Sequence, residues 1–357
     1  MVLVLLHATL FPLQAWEIRS FQGRDHVSLK EVAAFYELQS DSSPSQGTGK
    51  FSGTGREIVV TANSRELFIN GIAHWLAFPV LEKGGQFFLC RLDLGKTVEP
   101  ALRPQLIPNF PVVGTVVLDA GHGGRDNGAN SQYQFEKNYA LDMVRRIRNE
   151  LQKAGMRVVL TRNSDVFVAL QDRAAIANRL KNAVFVSIHF NAADANRAAN
   201  GLEIYCVTPR GAPSTAYEQL SERDMVGENG NDHDLHSFAL ANTIYHSMQG
   251  RMKMTDRGVK RARFAVLRLA GVPAVLIEGG FLTNPDDARN IASRPWRDNY
   301  ASSIVRGILE YRNLAALRVP PRQVGDYRSG RGPAAPSPTS DPASPSEVVL
   351  RDLPAKN

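Results

Sequence analysis

Between residues 112 and 316, short apolar runs alternate with longer amphipathic stretches. Apolar runs bounded by turn residues predict β-strands, whereas apolar residues that recur every three or four positions predict helices. The predicted strands are 115–119, 157–161, 184–189, 202–207 and 274–277, and the predicted helices are 136–154, 168–181, 235–252 and 296–312. This alternation predicts an α/β fold, in which a twisted, mostly parallel sheet is covered by helices on both faces.

The preceding part of the chain, residues 17–97, has the pattern of a small α+β accessory domain. Ser28 and Glu31 have the spacing of a capping box, which predicts the start of a helix. The Gly- and Ser-rich stretch 40–55 is predicted to be a loop. Short strands are predicted at 58–61, 66–70, 75–80 and 86–92. Residues 98–111 contain four prolines and no hydrophobic periodicity, which predicts a linker to the second domain at 112–316.

The two ends of the chain differ in composition from the rest. Residues 1–16 begin with an apolar run that is too short to span a bilayer and ends in a small residue, which is typical of a secretory signal. A basic n-region is missing, and a buried N-terminal strand is the alternative. Residues 317–357 are rich in Pro, Ser, Ala and Gly, which predicts a disordered tail. We therefore expect an exported protein of the periplasm or cell envelope, without a stable membrane span.

Charge and cysteine content restrict the possible partners and ligands. The net charge of +7 would suit nucleic acid, an anionic membrane or a polyanionic cell wall. Lys and Arg are not interleaved with aromatic residues in any run, so nucleic acid is not an expected partner. The two cysteines, Cys90 and Cys206, lie in apolar runs of different predicted domains, and no C-x-x-C spacing occurs. Any metal site must therefore use His and carboxylate ligands.

Three predicted strands end in a residue that can carry chemistry. His122 follows strand 115–119 in a glycine-rich turn, His189 ends strand 184–189, and Glu278 follows strand 274–277. Ligands of open α/β sheets bind at the carboxyl ends of the strands, so these side chains are expected to converge if their strands are neighbours. Glu136 begins the helix after the His122 loop and can join them.

These four residues predict a catalytic metal centre. Two imidazoles and one carboxylate form a common three-ligand zinc site, and zinc can activate water and polarise the carbonyl of an amide. Glu278, if it is not a ligand, would act as the general base and then as the acid towards the leaving amine. Taken singly, the histidines could be structural, and Glu136 could merely favour a helix N-terminus. An unpaired, buried Glu278 is harder to explain structurally, because it would be costly.

Two further groups of residues have the simpler expectation of solvent exposure. Three histidines lie close together in sequence without an indicated carboxylate partner, and three arginines could contact an acidic peptide or lie in solvent. These residues are His233, His236 and His246, and Arg257, Arg261 and Arg263.

Several motifs, in order along residues 112–316, resemble those of the zinc-dependent N-acetylmuramoyl-L-alanine amidases of the amidase 3 type. They include Leu118-Asp-Ala-Gly-His-Gly-Gly-Arg-Asp-Asn-Gly128, Glu136-Lys-Asn, Ser187-Ile-His-Phe-Asn191 and Glu278-Gly-Gly-Phe-Leu-Thr-Asn-Pro285. The resemblance implies that His122, Glu136 and His189 bind zinc and that Glu278 is catalytic. Asn191 and Arg263 are candidate substrate-binding residues. The implied reaction cleaves the amide between N-acetylmuramic acid and L-alanine during wall remodelling or daughter-cell separation.

The segment 209–234 departs from the family pattern as a longer, hydrophilic insert. Some relatives block their zinc with a helix that carries a glutamate. Our hypothesis is that residues 215–224 form such a lid, with Glu218 or Glu222 facing the metal.

The accessory domain also has a resemblance of its own. Val27-Ser-Leu-Lys-Glu-Val32 and Arg65-Glu-Leu-Phe-Ile-Asn-Gly71 resemble the N-terminal module of copper amine oxidases. That resemblance implies a non-catalytic role, such as attachment to the wall.

Peptidoglycan is therefore the expected partner, with an activator protein as an optional second one. A non-catalytic peptidoglycan-binding protein and a zinc amidohydrolase acting on another substrate are the alternatives. The presence of all four site residues favours the enzyme.

Overall fold

The computed structural model describes residues 16–317. The predictions of a signal segment and of a C-terminal tail fall outside this range, apart from the boundary residues Trp16 and Leu317. Within residues 16–317, no helix has the length and apolar character needed to cross a membrane.

Most of the described chain forms strands and helices. The strands are β1 (Ile18–Phe21), β2 (Arg24–Ser28), β3 (Gln39–Ser43), β4 (Thr48–Gly53), β5 (Arg56–Thr61), β6 (Glu66–Ile69), β7 (Ile72–Trp75), β8 (Leu81–Lys83), β9 (Gln86–Cys90), β10 (Thr115–Ala120), β11 (Arg157–Leu160), β12 (Ala183–Asn191), β13 (Leu202–Val207), β14 (Asp256–Ala262) and β15 (Ala274–Phe281). The helices are α1 (Leu29–Phe35), α2 (Arg91–Asp93), α3 (Glu99–Leu102), α4 (Glu136–Lys153), α5 (Leu170–Asn178), α6 (Asp234–Met252), α7 (Ala265–Arg268), α8 (Pro285–Ala292) and α9 (Arg294–Leu314).

The second part of the chain is an α/β layer structure, as predicted. Its strands follow the order β11-β10-β12-β15-β13-β14, in which all neighbours are parallel except β13 and β15. Helices α4, α6 and α9 contribute to the large core on one face, and α5 and α7 to a smaller core on the other. The strands that carry the predicted site, β10, β12 and β15, are adjacent and parallel, so their carboxyl ends share one edge.

Helix α4 illustrates how the sequence pattern produces this packing. Tyr139, Met143, Ile147 and Leu151 recur at four-residue intervals, and all four are buried. Such a stripe covers one face of a helix, so α4 lies against the sheet and places its first residue near the site edge.

The N-terminal part joins the sheet of the second part directly, so that β3 to β7 and β10 to β15 form one sheet. Strands β3 to β7 form an antiparallel meander, and β7 pairs in parallel with β14 through His74 and Val259. At Gly258, where φ is +85°, a Cβ would lie 2.6 Å from the carbonyl oxygen of Ala73. Only glycine therefore allows β7 to approach so closely. The side chain of Trp75 adds a hydrogen bond of 3.1 Å from Nε1 to the carbonyl oxygen of Arg257.

Three predictions for the N-terminal part were wrong in detail. The strand predicted at 75–80 lies instead at Ile72–Trp75. The stretch 40–55, predicted as a loop, supplies most of β3 and all of β4. Only Gly49 and Phe51 of β4 are buried, so the stretch lacks the apolar alternation that marks a strand. The predicted linker 98–111 includes α3, whose residues are buried, and Val98, Ala101 and Leu102 belong to the main core. The predicted helix start was correct, because the Ser28 side chain accepts a hydrogen bond from the backbone of Lys30 and α1 follows, although Glu31 accepts from the backbone of Glu17 instead of completing a capping box.

Candidate metal centre

His122 lies just beyond β10, in a turn that buried arginines hold rigid. Its backbone is left-handed, with φ at +59°, which is uncommon for a residue with a side chain. Arg162 donates hydrogen bonds of 2.9 and 2.7 Å to the carbonyl oxygens of Ala120 and Gly121. Arg173 donates to the carbonyl oxygen of His122 at 2.7 Å. The imidazole is therefore presented by a fixed turn, which the sequence pattern alone does not reveal.

A buried ion pair below the turn anchors this arrangement. Arg173 Nη1 lies 2.8 Å from Asp119 Oδ1, and the two side chains are 3% and 1% exposed. Asp119 also accepts hydrogen bonds from Thr161 at 2.6 Å and from Ser187 at 2.7 Å. Each carboxylate oxygen thus has a donor, as a buried charge requires.

His189 lies two residues before the end of β12, beside this turn, and its ring lies over Gly121. A Cβ at Gly121 would lie between 2.4 and 2.6 Å from three ring atoms of His189. The absence of a side chain at Gly121 is therefore what allows the second imidazole to occupy its place.

Glu136 reaches the site from the first turn of α4 and is almost completely buried. Its Oε2 accepts a hydrogen bond of 2.8 Å from the backbone of Ala129, and its Oε1 accepts one of 3.1 Å from Phe190. The amide of Ala129 belongs to the loop before α4, and that of Phe190 to the end of β12. The carboxylate is therefore fixed in orientation as well as in position.

The three predicted ligands meet as the sequence indicated. Glu136 Oε2 lies 3.0 Å from His122 Nε2, and Glu136 Oε1 lies 2.9 Å from His189 Nδ1. The two imidazole rings are 5.0 Å apart between centroids and are inclined by 76°. One ligand atom from each residue lies within 4.8 Å of the others.

The donor set fits a zinc ion. Two imidazoles and a carboxylate are typical zinc ligands, and His122 has the support expected of a metal-binding histidine. Its Nδ1 lies 2.9 Å from Asp126 Oδ2, so the Nδ1 proton is held there and Nε2 is directed to the centre. Asp126 was not singled out from the sequence.

The electrostatics of the three residues are strongly coupled. Burial raises the pKa of Glu136, but the hydrogen bonds and charges of His122 and His189 more than offset this and hold it far below its ordinary range. Burial lowers the pKa of His122, but Glu136 and Asp126 more than compensate and raise it. Glu136 therefore carries a negative charge, ready for a cation.

Glu278, on β15, lies beside these three residues and is in register with His189 on β12. Its Oε2 is buried and has no hydrogen-bond partner within residues 16–317. Burial, with the charges of Glu136 and Glu203, raises the pKa of Glu278 well above its ordinary value. A buried carboxyl oxygen without a protein partner can accept a proton from water or substrate.

Glu203 is an acidic residue of the site region that sequence reasoning missed. It lies on β13 directly opposite Glu278 and is buried. Four side chains surround its carboxylate: Lys260 at 2.5 Å, Asn191 at 2.6 Å, Tyr205 at 2.9 Å and Arg257 at 2.9 Å. A Glu inside the apolar run 202–207 was the available signal, because a buried carboxylate needs partners.

The two predicted substrate-binding residues have different surroundings. Asn191 lies in the Glu203 cluster beside Glu278. Arg263 does not face the metal centre, because its guanidinium pairs with Asp224 at 2.6 Å and donates to the carbonyl oxygens of Pro209 and Ala212 at 3.2 and 3.0 Å. Arg263 thus fastens the insert.

The lid hypothesis for the insert was wrong. Strand β13 runs antiparallel to β15, so the insert leaves from Val207, four residues beyond Glu203 and roughly 13 Å further from the site edge at about 3.3 Å per residue. The insert is held at the opposite edge, where Arg65 donates to the carbonyl oxygen of Tyr217 at 2.6 Å and Thr215 pairs with Arg261. Neither Glu218 nor Glu222 faces the metal centre.

The expectation of solvent exposure was correct for His246 but wrong for His236, Arg261 and Arg263, the last of which has a side chain only 9% exposed. His236 packs edge-on against Phe110 and donates from Nε2 to the carbonyl oxygen of Pro108 at 3.2 Å, and burial lowers its pKa to about 4. Arg261 is buried, with its guanidinium 4.5 Å from the ring centroid of Phe238. The folded segment 98–111 covers His236, and the N-terminal part helps to cover Arg261.

Fold and site together define an α/β protein with a His-Glu-His metal-binding geometry at the carboxyl edge of its sheet. A family model described as N-acetylmuramoyl-L-alanine amidase, Amidase_3, matches residues 116–310, and the chain belongs to this family.

Two relatives and one solved structure illustrate the extent of the similarity. AmiC of Escherichia coli CFT073 is 33% identical in an alignment of 245 residues that covers 61% of this chain and 58% of AmiC. AmiA of Escherichia coli K12 is 32% identical in an alignment of 218 residues that covers 55% of this chain and 75% of AmiA. The catalytic domain of CwlV from Bacillus (Paenibacillus) polymyxa is 31% identical, covers 57% of this chain and 99% of that domain, and has a TM-score of 0.47. The chain thus spans little more than half the length of AmiC.

Proposed function

We propose that this chain hydrolyses the amide bond between N-acetylmuramic acid and L-alanine in peptidoglycan, with a zinc ion held by His122, Glu136 and His189. The observation that carries the proposal is the convergence of these three residues beside Glu278, in a chain of the amidase family. AmiC and AmiA, which it resembles, bear the same activity in their names.

A zinc ion bound there would polarise the substrate carbonyl and lower the pKa of water. Glu278 takes the proton of the attacking water on its carboxylate as the new C–O bond forms. It then delivers that proton to the amide nitrogen as the C–N bond breaks. Its raised pKa suits both roles, because a more basic carboxylate takes a proton from water more readily and the resulting acid can return it to the leaving nitrogen.

The proposed setting is the cell envelope, in wall remodelling or daughter-cell separation. The N-terminal part is proposed to be an accessory domain, resembling the copper amine oxidase module, and the residues from 112 onward are proposed to be the catalytic domain. A non-catalytic wall-binding role is disfavoured, because the three ligands and a buried carboxyl without a protein partner are all present.

The test is product analysis after incubation of the whole chain with purified peptidoglycan, with zinc or with a chelator. We expect intact peptides with a free N-terminal alanine only with zinc, and none from Glu278→Ala. The matched control is Glu228→Ala, which removes a carboxylate from the insert at the other sheet edge. Wild-type activity that survives in Glu278→Ala, or products with a different new terminus, would refute the proposal.

A further inference from the structure

Arg257 lies on the side of Glu278 that faces away from the metal centre. The sheet order there is β12-β15-β13-β14, with His189, Glu278 and Glu203 in register on the first three strands. Arg257, on β14, reaches back over this row, and its Nε lies 2.9 Å from Glu203 Oε2. Its guanidinium therefore lies beside the carboxylate that neighbours Glu278 across β13 and β15.

The guanidinium of Arg257 is held in place, but not all of its hydrogen-bond donors are used. Its centre lies 4.9 Å from the ring centroid of Phe281, and the main chain of Arg257 is fixed by the hydrogen bond from Trp75. The side chain keeps 33% of its surface exposed. Among the described residues, none accepts a hydrogen bond from its two terminal amino groups. Arg257 thus keeps oriented hydrogen-bond donors available to a bound molecule.

The charges around Arg257 leave it with positive charge to spare. Among residues 16–317, Glu203 is the carboxylate ion-paired with both Lys260 and Arg257, and Lys260 lies closer to it, at 2.5 Å with its side chain 11% exposed. One paired anion therefore serves two cations. A partly exposed cation with excess positive charge attracts anionic groups of a substrate.

The distance to the metal centre corresponds to a short stretch of peptide. Strands lie about 4.8 Å apart, so β13 is roughly 10 Å from β12. An extended chain advances roughly 3.3 to 3.6 Å per residue, so two or three residues span this gap. A planar guanidinium with two free amino groups is the side chain best suited to hold a carboxylate at that place.

We propose that Arg257 is a specificity residue, which binds a carboxylate carried by the peptide part of the substrate two or three residues from the scissile amide. This inference rests on the proposed amidase function. Glu203, Phe281 and Trp75 position the guanidinium, so the N-terminal part contributes to substrate recognition through Trp75.

The test compares two synthetic muramoyl tripeptides that differ only in the carboxyl groups of the second and third peptide residues, which are free carboxylates in one and primary amides in the other. We expect the wild-type chain to prefer the carboxylate in kcat/KM by about tenfold, which corresponds to about 1.4 kcal/mol. Arg257→Met should bring this ratio close to one, chiefly through KM for the carboxylate substrate. Arg257→Lys should keep part of the preference, because it retains the charge without the planar fork.

Arg268→Met is the matched control, because Arg268 is another partly exposed arginine paired with a carboxylate, Glu228, but at the insert. It should keep the wild-type ratio. Equal cleavage of both peptides by the wild-type chain would overturn the inference and leave the amidase function standing, as would a ratio unchanged in Arg257→Met. Cleavage of neither peptide would overturn both.

Discussion

Removal of the Asp126 carboxylate should weaken zinc binding without removing a proposed ligand. Asp126 Oδ2 lies 2.9 Å from His122 Nδ1, and loss of such a partner of a metal-binding histidine costs about 10- to 100-fold in affinity. The Asp126 side chain is 45% exposed, so water can partly replace it. We therefore expect the lower end for Asp126→Ala, about tenfold or about 1.4 kcal/mol. Asp126→Asn should lose less, because its amide oxygen can still accept the Nδ1 proton.

Competition against a chelator of known zinc affinity measures this change. The control is Asp165→Ala, because Asp165 is 48% exposed and braces the same turn through Gly124 and Lys137 without contacting an imidazole. Its zinc affinity should stay within about twofold of the wild type, since no metal-binding histidine loses a partner. An unchanged zinc affinity in Asp126→Ala, or an equal loss in Asp165→Ala, would refute the reasoning.

Three further substitutions test the scaffold. Arg173→Met should lower the free energy of unfolding by about 3 kcal/mol in a urea titration, because it leaves Asp119 as a buried charge. The exposed pair partner Arg289→Met should cost less than about 1 kcal/mol. Gly121→Ala should lower amidase turnover by about 100-fold through displacement of His189, whereas Gly114→Ala, whose nearest neighbour would be 3.9 Å away, should not. Gly258→Val should separate β7 from β14 and make residues 98–111 accessible to limited proteolysis. Gly55→Val, which also has a positive φ but no neighbour within 4 Å, should leave it protected.

The metal centre could be predicted because its signals are local. Each of β10, β12 and β15 is an apolar run followed by a polar residue, and parallel neighbours bring such ends to one edge. Glu136 could be added because its helix starts at that edge.

The positions of β13, β14 and the insert could not be predicted, because the hydrophobic pattern of a strand does not reveal its direction. An apolar run looks the same for a parallel and an antiparallel strand, and the reversal of β13 is what moved the insert to the opposite edge. Strand β14 was missed because its basic residues interrupt the apolar pattern of a strand. Two of them, Lys260 and Arg257, pair with the buried Glu203. The role of Glu203 and of its two cations could be recognised only when the structure showed that they are in contact.

The proposed division of roles, in which three residues bind the ion and Glu278 does not, can be tested by one measurement. That measurement is the zinc content per chain of the wild type, Glu136→Ala and Glu278→Ala after removal of loosely bound metal. We predict about one zinc ion in the wild type and in Glu278→Ala, and nearly none in Glu136→Ala, from the three-ligand site. Loss of zinc from Glu278→Ala, or full retention in Glu136→Ala, would contradict the account.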